Sequence, residues 1–373
     1  MKILYFILFH FLIYQCINNN LYSQTAESTK SDIEKMQVSP KIEPLPILSY
    51  DSNTGLGFGG KCVFLNQAGL KESFDITLYG SSKGERWARF VFSYPNNEIR
   101  QRKKYGIAVD FLIDYDLFQK YEFFGVGNSS RYQDKEYYAH NPIETSIILS
   151  SGITGDFVAQ AGVKTMYSRN FNILLPPLGQ LWNYSVELNK GMAYYYSLII
   201  NVRYDTRNSF INPSEGIVLK SDLQYAPYSR LWNVGFFKWG ALFQYYKKII
   251  FPDLIFAARL NYQQIIGNRI PIQFLLPMGG NSTLRGYPQD RYLDKLAALS
   301  NFELRFPLIW RFGGITGIDM GKVCNCPAFI SLHNWPWNYV AGLRFYYDTY
   351  IVRFDAGFSK EFTGLYLTFD HLF

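Results

Sequence analysis

Residues 279–292 read GGNSTLRGYPQDRY, and the chemistry sits at the centre, in Leu284, Arg285, Gly286 and Tyr287. A guanidinium is a fixed fork of donors that grips carboxylates two-handed. The glycine lets the backbone turn or approach a wall without a Cβ, and the tyrosine offers a broad face for packing. This is the chemistry of docking rather than of bond-making. Acceptors for the fork lie downstream. Glu303 and Arg305 are two apart in "ELR", and Asp319 sits between Gly317 and Gly321 in "GIDMG". In a strand, residues two apart share a face, so an Arg285 folded inward would meet Glu303 and Asp319 on neighbouring strands. Taken alone, the loop arginine reads more readily as an ordinary exposed one, and only the flanking strand motifs reverse that preference.

Catalytic and metal chemistry lack their parts. Of four histidines, His10 lies in an apolar N-terminal stretch, His140 and His333 read as loop residues, and His371 is expected to face lipid near the C-terminus. No G-x-S-x-G elbow, H-E-x-x-H pair or phosphate loop occurs, and nothing pairs a serine or aspartate with one of these histidines. The expectation is a protein that is no enzyme and takes no cofactor. Beyond the N-terminal leader the cysteines are Cys62, Cys324 and Cys326, an odd set that frames no disulfide scaffold. "VCNCP" at 323–327 has no clustered histidine or further thiol, so it reads as a loop and not a zinc site.

The elements that would carry these residues are strands. The chain is 48% hydrophobic and 18% aromatic, with 30 Tyr and 31 Phe, yet only 18% charged. Its mean hydropathy is −0.09. High aromatic content at middling hydropathy suits a membrane β-barrel, in which only every second residue faces lipid. After the leader no apolar stretch reaches the roughly 18 residues of a membrane helix. The net charge of +7 comes from scattered residues, and "RQRKK" at 100–104 reads as a solvated turn, so nucleic acid is not an expected partner.

Alternation with period two recurs. In 104–116, Tyr105, Ile107, Val109, Phe111, Ile113 and Tyr115 oppose Asp110 and Asp114. Phe74, Ile76 and Leu78 oppose Asp75, Thr77 and Tyr79; Leu198, Ile200, Val202 and Tyr204 oppose Asn201, Arg203 and Asp205. Further on, Val352, Phe354 and Phe358 oppose Arg353 and Asp355, and Leu365, Leu367, Phe369, His371 and Phe373 are set against Tyr366, Thr368 and Asp370. Placing a strand on each such run predicts an all-β transmembrane antiparallel barrel of about sixteen strands, an even number between roughly 14 and 18. Residues 117–145 lack clean alternation, and 267–299 show no strand pattern; a loop that long in a compact fold is usually functional.

The domain reading is a signal peptide over 1–24, a polar periplasmic linker over 25–46, and the barrel over 47–373. Lys2 followed by an apolar run of about 14 residues is a secretory leader. Cys16 follows the bulky Gln15, which disfavours a lipidation site. The glycines Gly55, Gly57, Gly59 and Gly60 fall in the expected first strand; they fit either a weak, openable seam or a barrel corner.

These stretches together resemble the Omp85 superfamily, the bacterial surface antigen (D15-type) barrels related to BamA, TamA and the two-partner secretion transporters. "PLPILSYDSNTGLGFGG" is similar to that family's start of the first strand, and "YDTRNSFINPSEG" at 204–216 to its D-x-R…N-P-x-x-G turn. "LRGY" at 284–287 matches its V/L-R-G-F/Y loop, and "ELR" followed by "GIDMG" matches two of its strands. The resemblance implies an outer-membrane protein of a Gram-negative-type bacterium, inserted by the cell's own barrel-assembly machinery; the linker of about 22 residues is too short to fold alone, so the expectation departs from the family in lacking POTRA domains. The resemblance also implies a long extracellular loop folded into the lumen, with Arg285, Gly286 and Tyr287 held there by Asp319, Glu303 and the neighbouring Arg305. Phe369 and Phe373 would serve as the C-terminal assembly signal. The implied role is insertion or translocation of proteins, or movement of lipid, with outer-membrane lipid, a polypeptide client or a periplasmic protein as partners. A passive pore for small solutes and a plugged surface-binding barrel remain the alternatives.

Overall fold

In the computed structural model the alternating runs close into one antiparallel barrel. Residues 39–174, 192–249, 253–268, 270–331, 333–347, 350–369 and 371–373 are described; the leader and the linker as far as residue 38 lie outside them. The first strands are β1 (Lys41–Asp51), β2 (Gly55–Leu65), β3 (Ser73–Ser81), β4 (Arg86–Tyr94) and β5 (Tyr105–Phe123). Next come β6 (Glu136–His140), β7 (Ile143–Gly152), β8 (Phe157–Leu174), β9 (Met192–Asp205), β10 (Gly216–Ala226), β11 (Phe236–Lys248) and β12 (Ile255–Ile266). A small ribbon of β13 (Leu276–Met278) and β14 (Tyr292–Asp294) precedes β15 (Leu296–Pro307), β16 (Phe312–Cys324), β17 (Trp337–Tyr346), β18 (Ile351–Phe358) and β19 (Thr363–Phe369).

The barrel sheet holds seventeen strands, but β5 and β8 each pair with both β6 and β7, which therefore share one position and leave sixteen. Pro142, which has no N–H for a ladder, stands between them. The region without clean alternation is thus strand to Phe123 and again from Glu136, and His140 ends a strand instead of lying in a loop. The span 267–299 likewise contains the β13–β14 ribbon and the start of β15. The barrel begins at Lys41, so residues 41–46 belong to it and not to the linker. The glycine-rich run lies in the second strand, not the first.

Outward positions are apolar and solvent-facing in the isolated chain, among them Leu78, Ile107, Ile200 and Leu343. A closed belt of such residues belongs against hydrocarbon. Inward positions alternate in charge: Lys61 meets Asp75 at 3.0 Å, Lys164 meets Glu144 at 2.6 Å and Lys220 meets Asp222 at 2.8 Å. The lumen is filled unevenly. Phe118, Phe123, Tyr138, Tyr195, Phe236, Ile272, Leu276 and Leu293 form an apolar cluster at the end away from the chain termini. Cavities lined partly by charged side chains, among them Arg203 and Arg207, remain toward the terminal end.

The seam between the first and last strands is short. Among the described residues it is registered only by Tyr50↔Leu367 and Asp51↔Tyr366, with Ser52 N–H donating to Leu365 O at 3.1 Å beside them. On its other edge β1 pairs with β2 over all eleven of its residues. That bond from Ser52 shows that even-numbered residues of β1 direct their backbone groups toward β19, because direction alternates along a strand. Pro44 and Pro46 are even-numbered, so their missing N–H groups face the open edge, where proline is tolerated and blunts pairing.

Candidate functional site: a plug anchored on buried carboxylates

The loop between β13 and β14 folds into the lumen. Gly279 and Gly280 turn it with φ of +125° and +84°, a region that side-chain-bearing residues avoid. Thr283 Oγ1 clamps the base, accepting from Gly279 N at 2.8 Å and donating to Gly279 O at 2.9 Å. Leu284 is fully buried in the apolar cluster, which draws the tip inward.

Arg285 is 0% exposed, and all three of its guanidinium nitrogens donate. Nε and Nη2 donate to Asp319 at 3.0 and 2.8 Å, while Nη1 donates to Glu303 at 2.7 Å and to Asp355 at 2.8 Å. Its backbone N–H adds a third bond to Asp319 at 3.1 Å. Asp319 also accepts from Asn301 at 2.7 Å and Asn338 at 3.1 Å. Three carboxylates around one arginine would repel one another without further cations. Arg305 Nε therefore donates to Glu303 at 3.0 Å, and Arg344 Nη1 to Asp355 at 2.5 Å. Burying such ions is costly, and breaking one member out of the set costs about 3–5 kcal/mol, so the arrangement fixes geometry more than it adds stability.

The wall is shaped for the tip. A Cβ on Gly357 or Gly364 would overlap the backbone of Arg285, and one on Gly286 would stand 2.5 Å from Asn338 Cβ. Gly321 gives room to Met278, whose Sδ would lie 2.6 Å from a Cβ there; Gly317 presses instead on the backbone of Phe302 in the neighbouring strand. Tyr287 is buried, donates its hydroxyl to Trp337 O at 3.2 Å and packs its ring on Tyr292.

The predicted set of Arg285, Gly286, Tyr287, Glu303, Arg305 and Asp319 is therefore brought together. The C-terminal pair is not. Phe369 ends β19 on the outward face, but His371 and Phe373 leave the strand and turn into the lumen. The lipid-facing expectation for both is corrected: the ladder that would hold them outside meets the proline edge of β1. Sequence reasoning also passed over Asp355, Asn301, Asn338 and Arg344. Asp355 was on the inward face by alternation, but no motif tied it to the loop. Arg291 was missed as well. It is buried, grips Glu361 at 2.7 and 3.1 Å and Ser130 Oγ at 2.9 Å, and stacks on Tyr292 and Phe124. Cys62, Cys324 and Cys326 are free thiols, and among the described residues no group of three metal-ligating side chains gathers.

The Omp85 superfamily domain model matches residues 69–357. The chain belongs to the Omp85 superfamily. Its fold is shared by distant relatives of known structure. BamA from Haemophilus ducreyi lacking POTRA domains 1-3 is 12% identical, with a TM-score of 0.67 over 91% of this chain and 77% of that one. CdiB from Escherichia coli is 14% identical, with a TM-score of 0.62 over 93% and 72%. CdiB from Acinetobacter baumannii is 15% identical, with a TM-score of 0.55 over 88% and 60%. No curated protein matches the chain in sequence. At these identities the likeness is one of fold; in this Omp85 barrel the plug contacts above carry the local argument.

Proposed function

We propose that this barrel sits in an outer membrane and inserts or translocates polypeptides, using its short seam as an exit into the bilayer and its plug as the closure. The observation that carries the reading is that the plug spans the seam. On one side the Arg285 carbonyl rests on Gly364 of β19, and Arg291 holds Glu361 in the β18–β19 turn. On the other, Gln289 N–H donates to Asn53 Oδ1 in the β1–β2 turn at 3.0 Å. A loop so placed senses whether the two edge strands are together. The fold likeness to BamA and CdiB supports the same class of role.

A steady pore fits less well, because the apolar cluster and the plug occupy one end of the lumen. The client would be an extended polypeptide, with a periplasmic protein delivering it at the terminal end. The test is insertion of an unfolded barrel substrate into liposomes containing this protein. Acceleration that vanishes when Cys replaces both Tyr50 and Leu367 and the pair is oxidised supports the reading. Equal insertion with empty liposomes sinks it.

A further inference from the structure

The outer wall of the barrel carries a furrow. Pairing runs one row of outward residues across β9, β10, β11, β12 and β15, as Val202↔Ser221↔Ala241↔Tyr262↔Ala298. Ser221, Ala241 and Ala298 are small, and the Tyr262 ring leans aside onto Trp239, with 4.7 Å between ring centres. The row on one side is bulky, with Leu219, Phe243 and Leu260 in register; on the other side Leu223 pairs with Trp239. Small residues between two tall rows leave a groove of about 620 Å³. It runs obliquely, from Val202 near the terminal end of β9 to Ala298 near the opposite end of β15. Four strand spacings make it about 19 Å long, against about 15 Å for half of a bilayer's hydrocarbon core. That is the reach of one lipid tail lying aslant.

The groove is finished at the end away from the termini. Lys322 pairs with Ala298 and so faces outward too, yet it is only 8% exposed. The β16–β17 loop folds over the outer wall and caps it: Lys322 Nζ donates to Ser331 O at 3.2 Å, Ser331 Oγ at 2.7 Å and His333 O at 2.8 Å. These are neutral oxygens, so they leave the positive charge uncancelled at the level where lipid headgroups begin. Trp335 in the same loop donates its Nε1–H to Ser331 O at 2.8 Å and lines the groove. On β12 the outward Gln264 accepts at Oε1 from Trp239 Nε1 and Tyr262 Oη, both at 3.1 Å, which leaves its amide N–H groups to serve an acceptor outside the barrel.

We propose that this groove is the seat of one phospholipid. A tail lies along Ser221, Ala241 and Ala298 and against Trp335, an ester carbonyl accepts from Gln264, and the anionic phosphate sits near Lys322 and the exposed His333. The groove lies in the belt that faces hydrocarbon, which calls for a tail, and one uncancelled lysine charge suits one phosphodiester. Strands β9 to β15 stand across the barrel from the β1–β19 seam. A seated lipid therefore steadies the closed wall against the bilayer and leaves the seam side free. The proposal stands apart from the polypeptide-handling reading and needs no transport to test.

The experiment is native mass spectrometry of the refolded full-length barrel in detergent, with phosphatidylglycerol or phosphatidylcholine of the same tails added. Wild type should hold a first phosphatidylglycerol about fivefold more tightly than phosphatidylcholine, the factor that one cation supplies near an anionic headgroup. Ser221→Leu combined with Ala241→Leu fills the floor with side chains that suit a lipid face, and should weaken that first lipid at least about tenfold. Ala298→Leu alone should act in the same direction, and Lys322→Gln should remove the headgroup preference. Heat-modifiable gel mobility identifies folded variants. In vesicles of phosphatidylglycerol with brominated tails, the fluorescence assigned to Trp335 by difference from Trp335→Phe should be quenched, and less so in the filled variants. Folded filled variants that keep the first lipid as tightly as wild type overturn the proposal, as does equal binding of the two headgroups. Tighter retention of monophosphorylated lipid A than of phosphatidylglycerol would overturn the assignment to a phospholipid.

Discussion

The carbonyl of Arg285 rests on the backbone of Gly364, so closely that no side chain fits between the plug and the last strand. The plug is thus held twice, by charge at Asp319, Glu303 and Asp355 and by fit at Gly357 and Gly364. The two modes are separable by mutation.

Removing the charge leaves three buried carboxylates around a void. Arg285→Ala should weaken the seating of the loop by about 3–5 kcal/mol, the loss typical when one partner of a buried ion set is removed. Single-channel recordings should change from nearly closed to frequently open. Arg285→Lys keeps the charge without the fork and should fall between. A wild-type barrel that already conducts steadily would refute the plug.

Removing the fit leaves every charge in place. Gly364→Ala, and separately Gly357→Ala, should displace the tip and raise conductance while the barrel still folds in heat-modifiability assays. If both variants stay as closed as wild type, the contact with the seam strands does not hold the plug.

Arg291 ties the loop to two other segments, through Glu361 and Ser130. Arg291→Ala should make the loop cleavable by an added protease at lower concentration than in wild type, with Glu361→Gln giving a smaller change. Unchanged cleavage in both would show that the tether is dispensable.

Acid should tighten the plug over a defined range. Desolvation deep in the lumen pushes the carboxyl of Asp290, in the plug loop, up to about 7, and burial followed by the charges of Asp116 and Asp51 pushes that of Glu85, in the β3–β4 turn, to about 7. A raised carboxyl pKa means that the seated state prefers the neutral acid. The penalty for seating is absent below the ordinary value, grows as pH rises above it, and is complete above about 7. Opening frequency should climb from about pH 4 to about 7 and then level off, and Asp290→Asn should flatten the climb. An identical profile in Asp290→Asn would remove that residue from the account.

Much of this was legible in the residues. Alternation gave the strands because lipid outside and water inside impose a period of two, and it set Glu303, Asp319 and Asp355 facing inward. It did not identify Asp355 as a partner of Arg285, since the meeting of β18 with a loop some seventy residues earlier depends on barrel closure. Strand interruptions at Pro142 and inside the plug loop were hidden for another reason: short pieces of strand carry too few residues for a period to show. The tail was misread because alternation continued in sequence past the point where β1 stops offering donors.

The blunted edge has one more consequence, for neighbouring copies of the same protein. Two barrels that meet in a crowded membrane with their first strands side by side each present carbonyls, but no N–H groups, at Pro44 and Pro46. A continuous ladder between them is therefore denied over that stretch, although the edge is bare. The protein keeps a gap in its wall without becoming adhesive to itself.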